Sequence, residues 1–246
     1  EPLATTMPKP QRPIFAGWWV VIVAMIGLST GAAPFVFSSF GLFLKEFAIE
    51  FDWNRAEIGS AATFLTLSLA LSLPIAGRLI DRYGARAIIL PSMLVVASCL
   101  AAIPLLVSEL WHLVIIFVII GCMGVGTNTA AYMPVIAAWF DRQRGLAMGF
   151  AMAGMGLGFV YVPPLVQSMI DNFGWRYGYY VLSAIILLIS LPLTLVGLRN
   201  NPADIGLQPD GRNAGDDVPQ SSRAEVGLSV RQVVRTPEFR LMIVCP

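Results

Sequence analysis

Charge is what this sequence lacks most. Asp, Glu, Lys and Arg make up 13% of its 246 residues, about half the roughly 25% expected of a soluble domain. So few charges cannot cover a water-facing surface. Histidine occurs once, at His112, so neither a histidine-based metal cluster nor a histidine-based triad is expected. There is no His-Glu-x-x-His pair and no phosphate-binding glycine loop, so neither enzyme chemistry nor a cofactor is expected. The three cysteines, Cys99, Cys122 and Cys245, all lie in apolar stretches. They are too few for a disulfide scaffold and read as free thiols packed among helices. The chain has no Gly-x-y period and is too apolar for disorder. A net charge of +1 gives no attraction for nucleic acid.

What fills the sequence instead is hydrocarbon. Hydrophobic residues reach 57%. Six uncharged stretches follow one another: 13–44, 58–77, 87–108, 110–140, 145–170 and 177–198. Each is long enough for a helix to cross a hydrocarbon core, which takes about 20 residues. A lipid-facing backbone must satisfy its own polar groups, so the expected form is a helical bundle. The alternating ten-residue strands of a membrane barrel are absent. The first run is too long for a cleaved signal peptide and lacks its small-residue site.

Loop charges orient the bundle. Lys9, Arg12, Arg78, Arg82, Arg86, Arg142 and Arg144 fall on one side, and Lys45, Arg55 and Arg176 on the other. The richer side is expected to be cytoplasmic. The expected organisation is a cytoplasmic tail over 1–12, a six-helix bundle over 13–198, and a cytoplasmic linker over 199–240. The linker is rich in Pro, Gly and Ser. Within it Ser229-Val-Arg-Gln232 reads as a capping box that opens a short amphipathic helix on the membrane surface. A new apolar run over 241–246 reads as the start of a seventh crossing, so the chain reads as about half of a longer protein.

An internal repeat runs through the bundle. Asp81-Arg-Tyr-Gly84-Ala-Arg86 and Asp171-Asn-Phe-Gly174-Trp-Arg176 both read Asp, any, aromatic, Gly, any, Arg, 90 positions apart. The same offset pairs Gly59 with Gly149 and Pro74 with Pro164. Three helices repeated in opposite orientation make the inverted-repeat architecture of secondary transporters.

The run Gly77-Arg-Leu-Ile-Asp81-Arg82-Tyr-Gly84-Ala-Arg86 resembles the signature between the second and third helices of the major facilitator superfamily. Further segments resemble its monocarboxylate porters and their bacterial oxalate–formate relatives. They are Gly17-Trp-Trp-Val-Val21 with Ser39-Phe-Gly-Leu-Phe-Leu-Lys-Glu-Phe47, Trp139-Phe-Asp-Arg-Gln-Arg144-Gly-Leu-Ala-Met-Gly149, and Asn201-Pro-Ala-Asp-Ile-Gly-Leu-Gln-Pro-Asp-Gly211. The resemblance implies an all-α fold: the N-terminal six-helix half of a twelve-helix transporter, seated in the lipid bilayer. For the bacterial branch that bilayer is the inner membrane. The implied partners are a C-terminal six-helix half of the same protein and a small organic anion such as lactate, oxalate or formate. It also implies that Gly77, Asp81, Arg82, Gly84 and Arg86 latch the two halves. Asp141, Arg142 and Arg144 at the same mouth read either as a second latch or as topology determinants. The lysine that some animal members place in the first helix is Ser38 here, so a cationic partner for the anion is expected in the other half.

Within this half, Asn128 and Tyr132 are four apart at mid-depth and are expected to share a helix face. An amide and a phenol can hold a carboxylate without burying a charge. The alternatives are that Asn128 bonds a neighbouring helix and that Tyr132 packs. Ser38, Phe35 and Tyr161 are further candidates for substrate contact. Glycines at 121, 124, 126, 154, 156 and 158 read as close helix contacts. Two other readings of the chain remain. A sugar or drug carrier tends to carry charge inside its first half, and this interior has none. A non-transporting membrane scaffold calls for a large folded soluble domain, of which the sequence has no sign.

Overall fold

The structure, a computed structural model, describes residues 17–202. The expected N-terminal tail, the remainder of the linker, the helix opening at Ser229 and the apolar run from 241 lie outside the described residues. Six helices are long and apolar enough to cross a membrane: α1 (Gly17–Phe51), α2 (Arg55–Tyr83), α3 (Ala85–Leu106), α4 (Leu110–Trp139), α5 (Arg144–Phe173) and α6 (Trp175–Gly197). They coincide in order with the six uncharged runs. No β-strand occurs among the described residues. Connections of one to four residues force neighbouring helices to run antiparallel.

The repeat is visible in the backbone. Gly84 ends α2 with φ 83° and ψ 152°, and its N–H bonds the Ile80 carbonyl. Gly174 ends α5 with φ 90° and ψ 163°, and its N–H bonds the Ile170 carbonyl. A side chain is disfavoured at these positive φ values, which is why both copies spend a glycine there. Each helix pair therefore reverses over a single residue. The start of α2 is set by a capping box: Asn54 Oδ1 accepts the Glu57 N–H at 2.9 Å, and Glu57 Oε2 accepts the Asn54 N–H at 2.9 Å.

Close glycine contacts join the repeats. A Cβ at Gly121 of α4 would lie 1.9 Å from Ser68 Oγ and 2.5 Å from the Leu65 carbonyl oxygen of α2. A Cβ at Gly154 or Gly158 of α5 would meet the main-chain oxygens of Met25 or Ser29 on α1, at 2.2 Å and 2.4 Å. The second helix of each repeat thus lies against the first helix of the other at backbone distance. Gly156 faces open space and makes no such contact.

Three helices are irregular, which the uncharged runs did not announce. In α1 the α-helix Gly17–Ser29 gives way to a π turn over Ala33–Phe37 before resuming over Phe40–Phe51. In α4 a 3-10 turn over Val125–Thr127 separates Leu110–Gly124 from Thr129–Trp139. In α6 a π turn spans Ile186–Ser190. Buried hydroxyls join these interruptions. Thr127 Oγ1 donates to the Gly124 carbonyl at 2.9 Å and accepts the Ala32 N–H at 3.0 Å. Thr30 Oγ1 and Ser190 Oγ are 2.5 Å apart.

At the end away from the arginine-rich turns, Glu50 of α1 meets Arg176 of α6 at 2.5 Å and also accepts from Trp175 Nε1. The Arg176 guanidinium lies 4.6 Å from the Trp175 ring centre. Beneath them Phe43 stacks on Tyr179 with centroids 3.8 Å apart, and Phe47 meets Trp175 edge-on at 5.0 Å. Arg176 thus clamps the end of α1 to the start of α6.

Gly121→Val is expected to destabilise the bundle by about 1–3 kcal/mol, because the added carbons have no room against α2. Gly41→Ala, where the structure leaves open space, is the control and should not lower stability. Thermal unfolding in detergent checks both. Equal melting of the two variants would contradict the α2–α4 contact.

Candidate substrate site and gate

A shallow depression, with a cavity volume of only about 10 Å³, lies among α1, α2 and α4, lined by Ala33, Phe37, Leu69, Gly124 and Asn128 with their neighbours. Its one polar side chain, Asn128, is half-buried. Asn128 has φ −101° and ψ 171°, an extended conformation, and caps the second segment of α4 by accepting the Thr129 N–H at 2.9 Å. The broken helix therefore restarts beside the depression, with its positive dipole end there.

Asn128 alone of the five expected contact residues lines this depression. Tyr132 does not share its face. Because Asn128 is extended rather than helical, the i,i+4 relation fails. Tyr132 is 0% exposed. Its ring and hydroxyl fill the notch left by Gly27, where a Cβ would lie 2.3 Å from Oη, and the hydroxyl faces Thr194 of α6. Phe35 is likewise 0% exposed and packs in the core. The π turn puts Phe37, which is 42% exposed, on the depression instead. Ser38 is half-buried, and its hydroxyl donates to the Pro34 carbonyl. Tyr161 Oη donates to the Ser29 carbonyl at 3.2 Å, tying α5 to the end of the first segment of α1.

The arginine-rich turn divides into two roles. Gly77 is exposed and faces open space, and Arg82 is exposed with its guanidinium 5.3 Å from the Tyr83 ring centre. Asp81 is exposed and lines a cleft of about 160 Å³ with Gly84, Pro134 and Asn200. These groups are available to a partner. Gly84 and Arg86 are engaged within this half. The Arg86 N–H bonds Asn200 Oδ1 at 3.0 Å, and Arg86 Nη2 bonds the Leu195 carbonyl at 2.6 Å. A Cβ at Gly84 would lie 2.6 Å from Asn200 Nδ2. Asp141 and Arg142 are exposed on the connection after α4, and Arg144 opens α5, lining a wide cleft with Met133, Pro134 and Ala138.

Asn200 was missed in the sequence because it sits where composition turns linker-like. So was the Trp139 indole, whose Nε1 donates to the Arg199 carbonyl at 3.0 Å. The first residues after α6 therefore belong to the bundle. The only available signal was the polar Arg199-Asn-Asn201 directly after a membrane-length helix.

Residues 15–245 match the Major Facilitator Superfamily. The chain belongs to that superfamily. This major facilitator chain is 28% identical over 203 residues to human monocarboxylate transporter 11, covering 80% of this chain and 43% of that protein. It is 26% identical over 233 residues to human monocarboxylate transporter 1, covering 93% of this chain and 44% of that protein. Mouse monocarboxylate transporter 1 is 26% identical over 191 residues, covering 76% of this chain and 38% of that protein. The chain thus spans less than half the length of these relatives. As a major facilitator chain with six membrane-length helices it is a multi-pass membrane protein, and its family is one of transporters rather than enzymes.

Asn200→Ala is expected to cost about 1 kcal/mol by leaving the Arg86 N–H without its acceptor. That corresponds to a fall of about 2–4 °C in melting temperature for a chain of this size. Asn201→Ala in parallel tests whether the effect belongs to position 200. An unchanged melt for Asn200→Ala would remove that contact from the fold.

Proposed function

We propose that this chain is the first half of a secondary transporter that moves a small organic anion by alternating access. The observation that carries the reading is the discontinuous α4. Its second segment restarts at Asn128, on the depression formed with α1 and α2. Half-helix N-termini at mid-membrane are suited to anionic groups. Asn128 spends its oxygen on the cap, which leaves the amide nitrogen to donate to a carboxylate. The names of the relatives support a monocarboxylate. Among the described residues no Lys or Arg lines the depression, so the reading takes the counter-charge from the second half.

The second half would meet α2 and α5. Gly77, Gly145, Gly149 and Gly156 on these helices are exposed and face open space, and small residues let another helix approach closely. On this reading Asp81, Arg82 and Gly77, with Asp141, Arg142 and Arg144, form the gate at the arginine-rich mouth. By the distribution of Lys and Arg that mouth faces the cytoplasm.

Two experiments test the proposal. The complete protein in liposomes should take up labelled lactate, oxalate or formate saturably. Asn128→Ser keeps a capping oxygen but loses the amide donor, and should raise KM about tenfold with little change in the amount folded. No uptake of any of these anions would sink the substrate class. An unchanged KM would place Asn128 outside the site. Orientation is read separately by cysteine labelling in intact cells. A membrane-impermeant maleimide should label Asp52→Cys and spare Arg82→Cys, and the reverse pattern would invert the topology.

A further inference from the structure

A second crevice lies further along α2 toward Tyr83, between α2, α3 and the break of α4. It measures about 320 Å³ and is lined by Ile75, Leu79, Ile88, Pro91, Cys122 and Met123 among others. The walls are almost wholly apolar. Ile75, Leu79 and Met123 are exposed along it, so it opens outward rather than into the core. A crevice with such walls at membrane depth offers water few partners and is filled by hydrocarbon.

The crevice continues a stripe that ends in charge. Ile75, Leu79 and Arg82 follow one another at i, i+4 and i+7 on α2, one face of a helix. Seven residues separate Ile75 from Arg82, about 10 Å at 1.5 Å per residue. Arg78 lies one turn before Arg82, and both are exposed. The nearby carboxylate, Asp81, lines the separate cleft toward Pro134 and Asn200, on the α4 side of the helix. Arg86 is held by the Leu195 carbonyl and is not counted.

We propose that this crevice binds one acyl chain of an anionic phospholipid from the leaflet at the arginine-rich end, with the lipid phosphate on Arg82 and Arg78. Neither an apolar crevice nor a pair of exposed arginines selects a lipid alone. Together, at this spacing, they match an amphiphile whose charge sits at the membrane surface and whose chain runs inward. The site does not use Asn128 or the depression, and it shares only Arg82 with the proposed gate.

The test uses the complete protein, delipidated in detergent and titrated with dioleoylphosphatidylglycerol or dioleoylphosphatidylcholine, with bound lipid counted by native mass spectrometry. Phosphatidylglycerol should bind more tightly, by roughly fivefold for each arginine. The double variant Arg78→Gln, Arg82→Gln should lose that preference, and Arg82→Lys should keep it. Ser72→Phe, which puts a ring into the crevice from its lining, should weaken both lipids. Dihexanoylphosphatidylglycerol, tested on the unaltered protein, should compete poorly because its chains are too short. Equal binding of the two dioleoyl lipids overturns the proposal, as does a preference that survives loss of both arginines. Parent-like binding by a folded Ser72→Phe, or full competition by the short-chain lipid, assigns the contact to the headgroup alone and also overturns it. Failure to bind either lipid means that another helix covers the crevice, and refutes the proposal as well.

Discussion

Inside a bilayer a helix that breaks must find new partners for its main-chain groups within the protein, because no water replaces them. This constraint governs the interior here. α1, α4 and α6 all depart from regular α-helix, and two of the departures are mended by one side chain. Thr127 closes the turn of α4 through Gly124 and accepts the N–H of Ala32 across the gap to α1. Thr30 then reaches Ser190, the last residue of the π turn in α6. The polar core of the bundle is thus small, and much of it serves the backbone. Asn128 can sit beside the depression in an extended conformation because the neighbouring hydroxyls hold the break open.

The two repeats share a turn and use it differently. Gly84 and Gly174 have nearly the same dihedrals, yet the arginines two residues on find unlike partners. Arg176 pairs with a carboxylate, Glu50, beside an indole. Among the described residues Arg86 meets a main-chain carbonyl, with an asparagine behind its own N–H. The first is a partly exposed ion pair, which in water contributes about 0–1 kcal/mol, reinforced by stacked aromatics. The second leaves Asp81 free of Arg86. Duplicated sequence therefore yields one end shut within this half and another with a carboxylate on offer.

Much of the fold was legible before any coordinates. Six uncharged runs became six helices because lipid admits few alternatives, and the 90-residue offset reappeared in the two glycine turns. Legibility stopped where helices stopped being regular. The pairing of Asn128 with Tyr132 takes Asn128 as a helical residue, whereas it is extended and caps the segment that carries Tyr132. At the π turn of α1, Phe35 is buried in the core and Phe37 lines the depression. Asn200 was unreadable on other grounds: its partners lie more than 100 positions away, and local composition pointed to a linker.

The clasp at Asn200 also has a mechanical side. The chain leaves the bundle through Arg199 and Asn200, which are fastened to the indole of Trp139 and to the first turn of α3. Asp81 sits on the same turn and lines the same cleft as Asn200. Tension on the chain beyond this point is not absorbed by slack after α6. It is delivered through these hydrogen bonds to the carboxylate-bearing corner between α2 and α3.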